Sequence, residues 1–424
     1  MKISVAGTGY VGLVTAVCLA ENGHNVVCVD VDAEKISTLS KGIPTIYEPQ
    51  LEELLHKNLS KLSFTTDYKS AYKDADVIFI GVGTPENPDG TANFTYVKSV
   101  CEQIGASIQK DVVVVVKSTV PVGTNDRVEE MFLHLAPRNI KVEIVSNPEF
   151  LAQGNAINDT LHAKRIVIGT KTEHAVQVMH KVYDSFGLPL LFTDRRSAEM
   201  IKYASNDFLA LKISYMNDIA NICELVGANI EEVKKGMSYD PRIGSSFLNA
   251  GIGYGGSCFP KDTKALYTMA KNEYGYEAKT IKAAIDVNAS QKVKLFYQAK
   301  KICGSLKGVK TAVLGLTFKP GTDDMREAPS IDIINLLLKE GAIITGYDPI
   351  GQNACKRIFK DRIIYADSPA MCVASAEVVF VVTEWPEIKK MDIDLLNNKV
   401  VLDGRNVFDV NATKKMKKYY SIGR

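Results

Sequence analysis

No CxxC pair, no cluster of histidine with cysteine and no apolar run of about 20 residues occurs anywhere in the sequence. The eight cysteines (Cys18, Cys28, Cys101, Cys223, Cys258, Cys303, Cys355 and Cys372) are scattered. That spacing predicts neither a zinc site nor a disulfide framework, and it suits a reducing cytoplasm. The missing apolar run predicts no transmembrane helix. The N-terminal MKISVAGTGYVG is broken by glycines and lacks the cleavage site of a signal peptide. Charge of one sign is also missing. The 51 basic and 49 acidic residues nearly cancel, so no global field favours nucleic acid or a membrane surface. Apolar content of 46% and charged content of 24% are ordinary globular values. At 424 residues, two or three domains are expected.

What is present begins with a βα alternation. Residues 2–6 read as a buried strand and residues 13–22 as a helix; a second strand over 25–29 ends in Asp30. Between the first strand and the helix stands Gly7-Thr-Gly9-Tyr10-Val11-Gly12, a G-x-G-x-x-G with an acidic residue 18 positions after its last glycine. This is the context of a dinucleotide site: glycines for a tight turn, a helix N-terminus for the pyrophosphate, and a carboxylate for the ribose hydroxyls. Asp30 would repel a 2′-phosphate, which favours NAD over NADP. Further β-branched runs at 76–82, 111–117 and 141–146 read as parallel strands buried on both faces. They end in the loops of Thr84, Thr119 and Glu149, which should face one crevice, because ligands bind beyond the carboxyl ends of such strands; the alternative for each residue is a turn or a helix cap.

Over 197–226 the apolar period becomes helical with no Gly or Pro, which predicts one helix of about eight turns. Lys202 and Asn206, four apart, share one face and either both donate to a developing oxyanion or are two solvated polar residues. Helix is also expected over 230–237 and 263–300, so the middle of the chain reads as all-α and offers a dimer surface. Between these stretches lies GIGYGGSCFPKD at 251–262. A thiol behind four glycines, with Lys261 and Asp262 close by, is a candidate nucleophile, since a nearby cation raises the thiolate fraction. The alternative is a buried, inert cysteine in a glycine bend. After Gly308 the βα pattern restarts, with strands near 310–316, 343–347, 377–383 and 399–403 but no G-x-G-x-x-G. Lys319, Arg326 and Arg405 lie in loops after strands, where phosphates bind, or are solvated surface cations. The basic residues 414–420 read as a solvated end.

These motifs together resemble the nucleotide-sugar dehydrogenases. The resemblance rests on AGTGYVG at 6–12, GTP at 83–85, STVPVG at 118–123, NPEFL at 147–151, Lys202 with Asn206, GGSCFPKD at 255–262 and FKPGTDDMRE at 318–327. It covers the chain to about Asn411. It implies an α/β fold of two Rossmann-like doubly wound parallel sheets joined by a central helical domain, divided as 1–195 (NAD binding), 196–300 (helical, dimerisation and catalytic loop) and 301–424 (UDP binding). It also implies two NAD-dependent oxidations of a sugar C6 alcohol to a carboxylate, with UDP-glucose favoured over GDP-mannose or a UDP-N-acetylhexosamine. Cys258 would carry a thiohemiacetal and then a thioester. Lys202 and Asn206 would hold the C6 oxygen; Asp262 would stand near the hydrolytic water, Thr119 would position a water, and Glu149 would serve as acid/base. The resemblance places Gly7, Gly9, Tyr10, Val11, Gly12, Asp30, Lys35, Thr84, Thr119 and Arg326 on the cofactor. It places Glu149, Phe150, Leu151, Lys202, Asn206, Phe247, Leu248, Tyr254, Gly255, Lys319 and Arg405 on the substrate, with Arg242 donated by the neighbouring subunit of a homodimer. The chain departs from the family in carrying Gln153 where a second glutamate is usual, and Asn249 where some relatives have lysine. Two rivals are a one-step hydroxy-acid dehydrogenase, which has no use for Cys258, and a catalytically dead NAD-binding sensor.

Overall fold

The structure, a computed structural model, describes residues 1–414, 416 and 418–424. The chain divides into two compact units, Met1–Ser205 and Asn206–Arg424.

The first unit is built on an eight-stranded sheet: β1 (Lys2–Ala6), β2 (Asn25–Val29), β3 (Leu62–Thr65), β4 (Val77–Ile80), β5 (Val112–Val116), β6 (Val142–Ser146), β7 (Ile166–Gly169) and β8 (Leu190–Thr193), in the order β3-β2-β1-β4-β5-β6-β7-β8. Strand side chains alternate between faces. In β5, five consecutive valines, Val113 and Val115 therefore join one core while Val112, Val114 and Val116 join the other. Helices cover both faces, which is why the strands read as unbroken apolar runs. Every pairing is parallel except β6 with β7, which meet antiparallel through Ser146 and Gly169. The edge strands β3 (LSFT) and β8 (LLFT) are half exposed, and each is too short for its apolar residues to stand out in the sequence.

The second unit holds a six-stranded parallel sheet: β9 (Lys310–Leu314), β10 (Ile343–Tyr347), β11 (Ile364–Tyr365), β12 (Val378–Val381), β13 (Val400–Asp403) and β14 (Lys418–Ser421), in the order β11-β10-β9-β12-β13-β14. Both sheets reverse strand order beside their first strand, the place where open α/β sheets bind ligands. The expected solvated end is instead partly an edge strand, β14, which pairs with β13; Lys415 and Lys417 lie outside the described residues. One face of this sheet shares a core with helices. That core joins Met216, Ala220 and Cys223 to Ile230, Leu295, Phe296 and Ile334.

The long helix runs Arg195–Val226, two residues earlier than the sequence predicts. The stretch expected to be helical over 263–300 is two helices, Phe259–Tyr274 and Lys279–Cys303, because Gly275 ends the first with φ 64°.

Candidate active site

In the first unit, Gly9 is the N-cap of the helix Tyr10–Glu21. A Cβ on Gly12 would lie 2.0 Å from the Gly7 carbonyl oxygen, so this glycine lets helix and turn close on each other. A Cβ on Gly9 would meet no protein atom within 4 Å. The open face at a helix N-terminus fits a phosphate approaching the backbone. Asp30, at the end of β2, accepts from the Thr8 amide (2.8 Å) and hydroxyl (2.7 Å), and its other oxygen accepts from the Asp32 amide. Burial works against its charge, but these bonds outweigh it and hold the carboxyl below its ordinary value. Lys35 pairs at 3.9 Å with Asp32. The glycine turn and Asp30 thus fit an NAD pyrophosphate and ribose. The matching acid of the second unit, Asp348, is spent on the protein. It accepts from the amides of Leu316, Thr317, Ile350 and Gly351 and from the Trp385 indole, so that switch point offers no free carboxylate to a ribose.

The strand-end loops of the first unit are tied together. Thr84 donates to the Thr119 carbonyl at 2.7 Å. The Tyr10 hydroxyl donates to Glu48, and Glu48 accepts from the amides of Gly154 (2.7 Å) and Ala156 (2.6 Å). Glu48 thereby fixes the loop after Glu149, a role with no motif to announce it. Glu149 accepts from the Lys202 ammonium at 2.9 Å and from the Leu151 amide at 2.8 Å. Both members of this ion pair are buried, at 3% and 6% side-chain exposure. Phe150 lies under two cations, Arg165 at 4.2 Å and Lys202 at 5.5 Å from its ring centre, so its ring helps hold Lys202 in place. Glu199, one helical turn before Lys202, accepts from the amides of Gly123 and Asn125 and from the Asn125 side chain. It caps the helix Thr124–Leu135 that follows the Thr119 loop. Burial raises its pKa against these bonds.

In the second unit, Cys258 is the N-cap of Phe259–Tyr274, where the helix dipole favours a thiolate. The Lys261 ammonium bonds Asp262 at 2.7 Å. Arg326 lies within electrostatic reach of Cys258, while its guanidinium forks onto Asp324. Asp262, 1% exposed, also accepts from Asn206 at 2.7 Å. The cysteine loop is wedged against residues 318–328. Gly256 donates to the Arg326 carbonyl at 2.8 Å, and a Cβ on Gly255 would lie 2.3 Å from the Glu327 carbonyl oxygen.

Buried amide side chains pin the other end of the loop. Gly251 donates to Asn217 and accepts from Gln291, while Asn288 clamps the Tyr254 backbone through both of its side-chain atoms. Sequence reasoning missed these residues. Their signal was a polar side chain on the apolar stripe of a helix, as at Ala284, Asn288, Gln291 and Leu295. Arg405 runs beside Gly251 and donates to the carbonyls of Val382 and Phe318. Lys319 stands 5.7 Å from the Phe318 ring centre. The loops carrying Gly251, Lys319 and Arg405 therefore meet. Phe247 has φ 64° and packs on Phe259; such strain in a non-glycine residue concentrates at ligand sites. Leu248 and Tyr254 are buried, so a ligand would meet their backbone before their side chains. Arg242 is 87% exposed, with its guanidinium forked onto Asp240 of its own loop.

Asp207 follows Asn206 and is buried with neither carboxylate oxygen hydrogen-bonded. Burial, and then the charge of Asp262, push its pKa up from 3.8 to about 8. The folded protein thus holds this proton more tightly than the unfolded chain, and Asp207 subtracts stability progressively as pH rises from about 4 to about 8. In Asp207→Asn, the melting temperature relative to the parent should therefore climb across that window by at least a few degrees. Differential scanning calorimetry from about pH 4.5 to about pH 8.5 checks this. A constant difference would show that Asp207 is ionised throughout.

The sequence matches the UDP-glucose/GDP-mannose dehydrogenase family through its NAD binding domain at 1–187, its central domain at 196–290 and its UDP binding domain at 312–410. The UDP-glucose 6-dehydrogenase YwqF of Bacillus subtilis (strain 168) is 47% identical over 432 residues, covering 100% of this chain and 98% of that protein. Among solved structures, a UDP-glucose dehydrogenase from the archaeon Pyrobaculum islandicum superposes with a TM-score of 0.94 at 38% identity, covering 99% and 96% of the two chains. A UDP-D-ManNAc dehydrogenase from Pyrococcus horikoshii gives 0.88 at 26%, covering 100% and 99%. The chain belongs to the UDP-glucose/GDP-mannose dehydrogenase family. It is an oxidoreductase of that family whose first unit is an NAD-binding domain. Among the described residues, no helix is long and apolar enough to cross a membrane.

Proposed function

We propose that the protein oxidises UDP-glucose at C6 to UDP-glucuronate, consuming two NAD⁺ and one water and releasing two NADH and three protons. The observation that carries this reading is Cys258 at a helix N-terminus with Asp262 and Asn206 bonded beside it, in a chain 47% identical to a UDP-glucose 6-dehydrogenase over its full length. The division of labour follows residues 1–195 for NAD, 196–300 for the catalytic loop and dimer, and 301–424 for UDP.

Bound NAD⁺ supplies a hydride acceptor for each oxidation. Gly9 opens the backbone to its pyrophosphate, Gly12 lets the helix close on the turn, and Asp30 takes its ribose. Thr84, Thr119 and the Glu149 loop meet the reacting end. Lys202 and Asn206 hold the C6 oxygen, because an ammonium and an amide donor both strengthen as that oxygen gains charge. Glu149 takes the hydroxyl proton. The Cys258 sulfur then adds to the aldehyde carbon to give a thiohemiacetal, whose oxidation leaves a thioester. A water positioned by Thr119 and Asp262 attacks the thioester carbonyl. The carbon–sulfur bond breaks, the carboxylate leaves, and the thiol is restored. Lys319 and Arg405 bind the UDP phosphates, while Phe247, Leu248, Tyr254 and Gly255 line the sugar.

The exposed Arg242 serves the site of a second copy in this reading. A stripe of exposed apolar residues on the long helix, Phe208, Tyr215, Ile222 and Val226, recurs near heptad spacing and suits a helix partner from that copy. Sedimentation of Phe208→Glu/Tyr215→Glu should give monomers where the parent gives dimers, and a parent that sediments as a monomer contradicts the dimer.

The substrate is tested by NADH production with UDP-glucose, GDP-mannose and UDP-N-acetylmannosamine in parallel. Rapid turnover of UDP-glucose with a UDP-glucuronate product supports the reading. Preference for either other sugar keeps the chemistry and overturns the substrate.

A further inference from the structure

Arg326 and Glu327 carry the backbone against which the cysteine loop rests, and that backbone turns left-handed at Glu327, where φ is 54°. Residues other than glycine seldom adopt this conformation, and it persists only where the surroundings enforce it. The turn aims two carbonyls at the loop. The Arg326 carbonyl accepts from the Gly256 amide at 2.8 Å, and the Glu327 carbonyl oxygen stands 2.3 Å from where a Cβ on Gly255 would lie. Cys258 follows two residues after Gly256, so the position of its sulfur depends on the turn at Glu327.

Glu327 is held from the helix Lys279–Cys303. The Lys292 ammonium donates to one of its carboxylate oxygens at 3.0 Å, and Lys264 stands 3.6 Å from the other. The Lys292 side chain is 8% exposed, against 44% for Glu327. Asp332, in the first turn of the helix Pro329–Glu340, is a second acid within reach of Lys292, at 3.7 Å. Burial works against the charge of Glu327, but Lys292 and then Lys264 outweigh it and hold the carboxyl below its ordinary value. A buried ammonium is costly unless a carboxylate accepts it, so Lys292 and Glu327 fix one another. The lysine stem also passes beneath the loop: a Cβ on Gly253 would lie 3.4 Å from the Lys292 Cγ. One turn earlier on the same helix, Asn288 clamps the Tyr254 backbone.

We infer that Lys292 is a positioning residue for the covalent step: its buried ammonium holds Glu327 in the left-handed turn whose carbonyls brace Gly255 and Gly256, and so sets the Cys258 sulfur where it meets the aldehyde carbon. The inference rests on Cys258 being the nucleophile. In the proposed route only the second oxidation calls on the sulfur. Loosening the brace should therefore spare aldehyde formation and impair acid formation. A lysine that served stability alone would, when replaced, lower both products together, because fewer molecules would be folded.

The test is the ratio of aldehyde to acid formed from UDP-glucose by the full-length enzyme, read by mass spectrometry for Lys292→Met, Lys292→Arg and Asp332→Asn, with Cys258→Ser alongside. Methionine keeps the stem beneath Gly253 and removes only the charge. Acid formation in Lys292→Met should fall about tenfold, with aldehyde released in its place. Lys292→Arg, which can still donate to Glu327, should keep the parental ratio within about twofold, and so should Asp332→Asn, which leaves that pair intact. Adding Glu327→Gln to Lys292→Met should bring no further fall, because both changes break one contact. A parental ratio in Lys292→Met, an equal loss of both products, or losses that multiply in the double variant overturns the inference. If Cys258→Ser forms acid at the parental ratio, the covalent route itself falls and the role of Lys292 with it; if Cys258→Ser releases aldehyde while Lys292→Met does not, only the role of Lys292 falls. Should Lys292→Met fail to fold, Glu327→Gln decides from the half-exposed end of the pair: aldehyde release supports the role, and a parental ratio contradicts it.

Discussion

Replacing Cys258 by serine is expected to lower steady turnover of UDP-glucose by about a thousandfold or more, with NAD affinity unchanged. The two atoms differ little in size, so the loop keeps its contacts. What changes is the nucleophile. A thiol at a helix N-terminus, within reach of Arg326, ionises near neutral pH far more readily than an alcohol, and a thioester hydrolyses where the corresponding ester is slower to form. In the proposed route the first oxidation does not need the sulfur. The serine enzyme should therefore still release some NADH and aldehyde, with little acid. Product analysis by mass spectrometry reads both. Acid formation within tenfold of the parent would show that water adds to the aldehyde directly and that Cys258 is only packed.

Gly255→Ala should be nearly as damaging, for a reason of space. The added Cβ would lie 2.3 Å from the Glu327 carbonyl oxygen and 2.8 Å from its carbon. Those are backbone atoms, which cannot swing aside as a side-chain tip can. The cysteine loop must move, and with it the thiol three residues on. A misplacement of about 1 Å costs on the order of a hundredfold in rate, so kcat should fall by about that much or more while the protein stays folded. Circular dichroism and kcat measured together check this. A folded Gly255→Ala enzyme with parental kcat would mean that the loop is not held against 327–328 during turnover.

The fold was legible where burial is complete. Five valines in β5 and the runs of β1, β4, β6 and β9 announced two doubly wound sheets, and the Gly-free, Pro-free period of 197–226 announced the long helix. The strands β3, β8 and β11 were not legible because four residues or fewer on a sheet edge are too short to show a pattern, even where, as in the LLFT of β8, they are mostly apolar. The candidate site was legible where chemistry demands a residue type: the glycines, Asp30, Glu149, Lys202, Asn206, Cys258 and Asp262. It was illegible where a residue acts through a contact made only on folding. Glu48 and Glu199 look like surface acids in the sequence, yet they receive the backbone amides of two loops. Asn288 and Gln291 look like lapses in an apolar stripe, yet they hold the cysteine loop from beneath. Lys261, the obvious cation beside the thiol, bonds Asp262, and Arg326, about 70 residues further along the chain, lies within electrostatic reach of Cys258.

The central claim is that one active site carries out two oxidations on one sugar. The most direct measurement is the NADH formed by the parental enzyme from limiting UDP-glucose, read at completion in excess NAD⁺. Two NADH per sugar, with UDP-glucuronate as the product, is the predicted result. One NADH per sugar, with the aldehyde accumulating, would contradict it and leave a simple alcohol dehydrogenase.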